Sequence, residues 1–120
     1  MLKKTVTYVD YENTERTEDF YFNLSQAEVT EMELSIDGGL VKKIERIVAA
    51  KNGAEIMKLF KEIVLKSFGV KSPDGRKFIK SQELSEDFSF TEAYSQIFMS
   101  LVTDPDAAAA FVRGIVPNTK

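Results

Sequence analysis

The first two dozen residues alternate between apolar and polar rather than repeating in a helical period. In residues 2–10, Val6 and Tyr8 alternate with Thr5, Thr7 and Val9. A β-branched, aromatic run of this kind predicts a strand. Turn character centres on Asn13. A second extended run, residues 17–24, places Phe20 and Phe22 on one face and Tyr21 on the other. The pair predicts a β-hairpin over residues 1–24. A two-stranded ribbon is marginal alone, so one face is expected to lie on helices.

From residue 25 the period changes. Ser25-Gln26-Ala27-Glu28 has capping-box spacing, and Leu24 and Val29 are placed for a hydrophobic staple. The helix so opened carries Val29, Met32 and one of Leu34 or Ile36 inward, and is expected to stop at Asp37-Gly38-Gly39. Residues 40–51 repeat the helical pattern, with Leu40, Ile44, Ile47 and Val48 inward. Asn52-Gly53-Ala54-Glu55 offers a further cap, and the pattern leaves open whether the chain bends or breaks there. The strongest stripe follows in Ile56, Leu59, Phe60, Ile63, Val64 and Ser67, with Gly69 as the expected left-handed terminator. Helices are thus predicted across 25–69.

Residues 70–88 lose the period and are predicted to be a surface loop. Ser72-Pro73-Asp74-Gly75 is turn chemistry, 77–81 is basic and 83–87 acidic. A loop so long in a small domain is a binding element or a mobile segment more often than scaffold. Two C-terminal helices are predicted over 89–116. The first opens on Ser89 and Glu92 and carries Tyr94, Ile97, Phe98 and Leu101 on one face. The second is capped by Asp104 with Pro105 at its first position, and continues through four alanines to Phe111, Val112 and Ile115. The alanines permit close approach of another element, from its own core or from a partner. The expected architecture is one α+β domain over residues 1–120, mostly helical, with the N-terminal β-hairpin packed on a bundle of four or five helices.

Composition narrows the chemistry. Hydrophobic residues at 43% suffice for one modest core. Cysteine, histidine and tryptophan are absent. That removes disulfides, thiolate nucleophiles, His-based triads and Cys- or His-ligated metal centres together. No cofactor, no metal site and no catalytic residue is expected. No apolar run approaches the roughly 20 residues of a bilayer span, and Met1-Leu2-Lys3-Lys4 is not followed by a signal-peptide core, so no membrane association is expected. The net charge of −3 conceals segregation: residues 1–40 sum to −6, residues 41–80 to +7 and residues 81–120 to −4. Such a chain can attract copies of itself or a partner of complementary pattern.

Candidate sites fail on spacing. Asp37-Gly38-Gly39 lacks the Lys-Ser/Thr of a phosphate loop. Asp104 and Asp106 fit helix capping better than a calcium loop. Glu28, Glu31 and Glu33 lie on an exposed helix, without the burial that a catalytic carboxylate pair needs. Nucleic-acid binding is the stronger rival, because Lys42, Lys43, Arg46, Lys51, Lys58, Lys61 and Lys66 fall on successive helices. They include a single arginine, however, and are diluted by Glu45, Glu55 and Glu62.

The C-terminal third carries a family pattern. Phe88-Ser89-Phe90-Thr91-Glu92-Ala93-Tyr94, Ile97-Phe98, Thr103-Asp104-Pro105-Asp106-Ala107-Ala108 and Ala110-Phe111-Val112-Arg113-Gly114-Ile115-Val116-Pro117 resemble the ending of tail assembly chaperones of long-tailed, siphovirus-type phages. The opening is similar too, in Thr5-Val6-Thr7-Tyr8-Val9-Asp10-Tyr11 and Arg16-Thr17-Glu18-Asp19-Phe20-Tyr21-Phe22-Asn23-Leu24-Ser25. The resemblance implies a non-enzymatic protein of the infected bacterial cytoplasm, absent from the mature virion. It would bind the tape measure protein while tail tube subunits polymerise, with the tube subunit a further candidate partner. It also implies a family habit of two product lengths, of which this chain would be the shorter. Tyr94, Phe98, Phe111 and Ile115 are the expected partner anchors if exposed, since aromatic residues dominate interface energies. Lys58 and Lys61 are the expected self-association residues of a homo-oligomer. A nucleic-acid-binding regulator and a structural tail or connector subunit are the alternatives.

Overall fold

The computed structural model describes residues 1–35 and 39–117. Strands β1 (Leu2–Val9) and β2 (Glu15–Phe22) form the predicted antiparallel hairpin, in unbroken register from Leu2 opposite Phe22 to Val9 opposite Glu15. Its turn works as the residues suggest. Asn13 adopts φ 62°, and the Asp10 carboxylate accepts from the amides of Glu12 and Thr14 at 2.8 and 3.0 Å. Asp10 also binds Arg16, which holds its carboxyl below the ordinary carboxylate range.

Helix α1 (Gln26–Ser35) begins on a complete capping box. The Ser25 amide donates to Glu28 at 2.9 Å, and the Glu28 amide donates to the Ser25 hydroxyl at 3.2 Å. Met32 is buried and Val29 packs on the core, but Leu34 points into solvent at 85% exposure. Position 34 is two residues, about 200°, from Met32 and so lies on the opposite side of the helix; Leu34 is not an inward residue. The expected stop at Asp37-Gly38 and the alternative Ile36 lie outside the described residues.

Helices α2 (Gly39–Ala49) and α3 (Gly53–Ser67) are separate. The break comes at Lys51, which takes φ 55°, and at Asn52, whose side chain caps α3 by accepting from the Glu55 amide at 3.3 Å. Helix α3 buries Leu59, Phe60, Ile63, Val64 and Ser67. The Ser67 hydroxyl satisfies itself on the carbonyls of Ile63 and Val64 at 2.7 and 3.2 Å.

Three expectations are corrected beyond this point. Gly69 does not terminate α3; it lies within strand β3 (Phe68–Lys71), opposite Tyr21 of β2. A side chain there has no room, because a Cβ would stand 2.6 Å from Phe78 Cε2 and 2.8 Å from the Ile79 carbonyl oxygen. Nor are residues 70–88 a loop. The Ser72–Gly75 turn joins β3 to β4 (Phe78–Ile79), extending the hairpin to an antiparallel sheet of order β1-β2-β3-β4, and helix α4 (Gln82–Ser89) follows. Strands of four and two residues are too short to display alternation. Helix α4 is largely exposed, burying only Phe88 fully, so its stripe is faint. Its cap is Ser81, accepting from the Leu84 amide at 3.0 Å, and the Ser85 hydroxyl fastens it to the Leu65 carbonyl of α3 at 2.9 Å.

Helix α5 (Glu92–Val102) is capped by Thr91 rather than Ser89: the Thr91 hydroxyl accepts from the Tyr94 amide at 3.1 Å. Ser89 instead ends α4, donating to the Glu86 carbonyl at 2.6 Å. Helix α6 (Pro105–Ile115) starts on Asp104 as predicted. Close approach is needed at its other end, where a Cβ on Gly114 would meet Leu2 of β1 at 2.9 Å.

The class is α+β and mostly helical, with six helices among the described residues. One face of the hairpin rests on helices, as a marginal ribbon requires. The core centres on rings from distant parts of the chain. Phe68 and Phe88 stack with centroids 4.2 Å apart, Phe22 meets both at 5.8 Å, and Phe22 meets Phe111 edge-on at 5.3 Å. The Asn23 amide donates to the Ser67 carbonyl and the Leu24 amide to the Ile115 carbonyl, each at 2.8 Å. The entry to α1 is therefore pinned between the ends of α3 and α6.

Candidate functional site

Helix α3 turns one side to the core and is left with Met57, Lys58 and Lys61 outward. Helix α5 buries Ala93, Ile97 and Leu101, which sets Tyr94 and Phe98 on its flank, half-buried and one turn apart. Between the two helices lies an open groove of about 550 Å³. Its floor and walls are Met57, Tyr94, Phe98 and Phe90, and Lys58 and Lys61 stand at its rim.

The geometry of the walls is fixed by packing. The Tyr94 and Phe98 rings stack at 5.7 Å with planes 20° apart, and Phe88 meets Tyr94 edge-on at 5.6 Å from the core side. Burial raises the Tyr94 phenol above its ordinary pKa, so it stays neutral and can only donate or accept a hydrogen bond. Phe90 is 72% exposed and Met57 47% exposed. Phe90 sits where α4 hands over to α5, its amide bound back to the Asp87 carbonyl at 3.2 Å, so the backbone presents the ring while the fold makes little use of it.

Four of the six residues singled out from sequence thus come together. Tyr94 and Phe98, expected to hold a partner, and Lys58 and Lys61, expected to mediate self-association, line one groove. Phe111 and Ile115 do not belong to it. They are 1% and 0% exposed members of the core, Phe111 edge-on to Phe22 of β2, and a partner could reach them only by unfolding α6. The i, i+4 stripe they form faces inward because the opposite side of α6 carries Ala109, Ala110 and Arg113. Phe90 and Met57 were missed. The available signal for Phe90 was Thr91 as an alternative cap, which would have left Phe90 outside both helices.

Among the described residues the basic side chains of α2 and α3 are interrupted by acidic ones. Lys43 and Lys58 share a cleft with Glu55 and Glu62, interleaving both signs. The remaining carboxylates with shifted protonation are tied to structure. Partial burial would raise Glu28, but hydrogen bonds from Lys80 Nζ at 2.7 and 2.8 Å and from the Ser25 amide outweigh it, and its carboxyl lies below the ordinary range. Asp74 is lowered by its bonds from the Ser72 hydroxyl and the Arg76 amide within the β3–β4 turn. Among the described residues no group of three His, Cys, Asp or Glu side chains is placed to hold a metal ion, and no helix is long and apolar enough to cross a membrane. The side chains of the groove offer apolar contact, ring faces, the Ser89 hydroxyl and two ammonium groups.

A second groove of about 520 Å³ lies between α2 and α6, lined by Ile44, Ala49, Phe60, Ala108, Ala109 and Val112. In the alanine run Ala108 is buried on the core at the floor of this groove, and Ala109 is exposed at its edge.

In comparisons with known proteins, a family model described as phage tail assembly chaperone matches residues 1–119. No curated protein and no solved structure matches the chain.

Proposed function

Because this chain belongs to the phage tail assembly chaperone family, we propose that it works by holding the tape measure protein, without catalysis, in the cytoplasm of the infected host. The client is kept soluble while tail tube subunits assemble, with the tube subunit a further partner, and the chaperone is left out of the finished virion. The observation that carries this reading is the groove between α3 and α5. It exposes Phe90 and Met57 beside the Tyr94–Phe98 stack, and a contiguous apolar patch, unlike a scattered exposed side chain, marks an interaction site. Apolar stripes of a helical client fit such a groove, the anchors spaced at i, i+3 and i+4. The lysine rim adds attraction for acidic residues flanking the stripe and speeds encounter more than it tightens binding. The chaperone is also read as a homo-oligomer, on the charge segregation along the chain.

Co-expression with the tape measure protein, followed by affinity purification, tests the reading. The client should co-purify at low salt and remain in the supernatant only when the chaperone is present. Recovery of the chaperone alone at low salt overturns the proposal.

A further inference from the structure

We propose that the groove between α3 and α5 also receives helix α1 of a second copy, with Leu34 as the inserted side chain, so that copies join head to tail. The inference rests on the self-association reading above and names the surfaces that carry it. Helix α1 holds three carboxylates and no basic residue. Glu28 is engaged by Lys80, while Glu31 and Glu33 are exposed. At 100° per residue Leu34 rises between Glu31 and Glu33 on the outer side of the helix. At 85% exposure it is the most exposed large apolar side chain among the described residues. An apolar knob flanked by two carboxylates matches an apolar groove rimmed by Lys58 and Lys61 in both polarity and charge. The α2–α6 groove has no comparable rim, since Glu45 and Arg113 at its edges oppose each other in sign.

The two surfaces do not meet within one molecule: Leu34 edges a separate groove beside Val29, Val116 and Pro117 and is not among the residues lining the α3–α5 groove. The contact is also not self-complementary: knob and groove are different patches. Such heterologous contacts close into rings or propagate as open helical assemblies rather than stopping at a symmetric dimer. They also set a competition. A groove filled by α1 of a neighbour cannot hold a client, so self-docking shelters Phe90 and Met57 until the client displaces it.

Sedimentation velocity over a concentration series, on the purified chain alone, tests this without any client. The native chain should form species larger than dimers. K58E/K61E and E31K/E33K should each raise the dissociation constant at least about tenfold, from like-charge apposition. The quadruple variant K58E/K61E/E31K/E33K should recover association, because the swapped charges are again complementary. L34D should weaken association while leaving the circular dichroism and melting temperature unchanged, since all five side chains are exposed. A native chain that stays monomeric, a quadruple variant that stays dissociated, or an L34D chain that associates normally overturns the inference. Client capture by a monomeric chain would leave the proposed function standing; self-association without client capture would leave this inference standing alone.

Discussion

Phe90 and Phe111 are the same residue type two helices apart, and the structure predicts opposite consequences for replacing each by alanine. Phe111 is 1% exposed and touches Phe22 edge-on at 5.3 Å. Phe111→Ala removes a filled core volume and should cost about 3–5 kcal/mol, a large share of the roughly 5–15 kcal/mol that holds a domain of this size. Phe90 is 72% exposed, so its truncation should change stability by less than about 0.5 kcal/mol. Its effect should fall on client binding instead. A phenylalanine buries about 200 Å² when fully covered, and at about 25 cal/mol per Å² the uncovered part of Phe90 offers an upper limit of roughly 3.5 kcal/mol. Ordering costs and the residual alanine contact reduce this to about 2 kcal/mol, or a dissociation constant about 30-fold weaker. Urea denaturation followed by circular dichroism measures the first quantity, and titration calorimetry with a soluble tape measure fragment the second. The reasoning is refuted if Phe90→Ala loses more than about 1 kcal/mol of stability, or if it binds the fragment as tightly as the native chain while folding normally.

Two further outcomes concern the scaffold around the groove. Gly69→Ala should destabilise by about 1–3 kcal/mol, seen as a melting temperature lower by several degrees, because the Ile79 carbonyl 2.8 Å from the added Cβ is backbone and cannot swing aside. An unchanged melting curve would show that β3 and β4 are not paired as described. Glu28→Gln should cost about 1 kcal/mol at about pH 7 through loss of the Lys80 pair. The folded carboxyl holds its proton less tightly than the unfolded one, so its stabilisation is complete above the ordinary value of 4.5 and is lost as pH falls through the lowered folded value. Native and variant stabilities, measured by urea titration at stepped pH, should therefore converge below pH 4.5; a gap that persists or widens there contradicts the assignment.

The hairpin, the capped starts of α1, α3 and α6, and the apolar stripe of α3 were legible in the sequence because each is decided within a few residues. A capping hydroxyl and the amide it satisfies are three positions apart, and alternation over eight residues is visible without any partner. The segment 70–88 was illegible for the converse reason. Strand β4 exists because Phe78 and Ile79 find Lys71 and Val70, and α4 because Phe88 finds Phe68 and Phe20; none of these partners is marked by a local period. The same distinction governs the candidate site. Periodicity put Tyr94 and Phe98 on one flank, and charge counting separated Lys58 and Lys61 as a basic pair, yet the sequence assigned them to two different tasks. Phe111 and Ile115 passed the same periodicity test and are core. What divides the two pairs is the packing of α5 against α3 on one side and of α6 against β1 on the other. Stripe position alone cannot supply that, since any amphipathic helix in a domain this small has neighbours on more than one flank. The tertiary contact also brings two sequence features together: the lysines and the rings share one groove, so that under the proposed client binding and the inferred self-docking a change in one must be felt in the other.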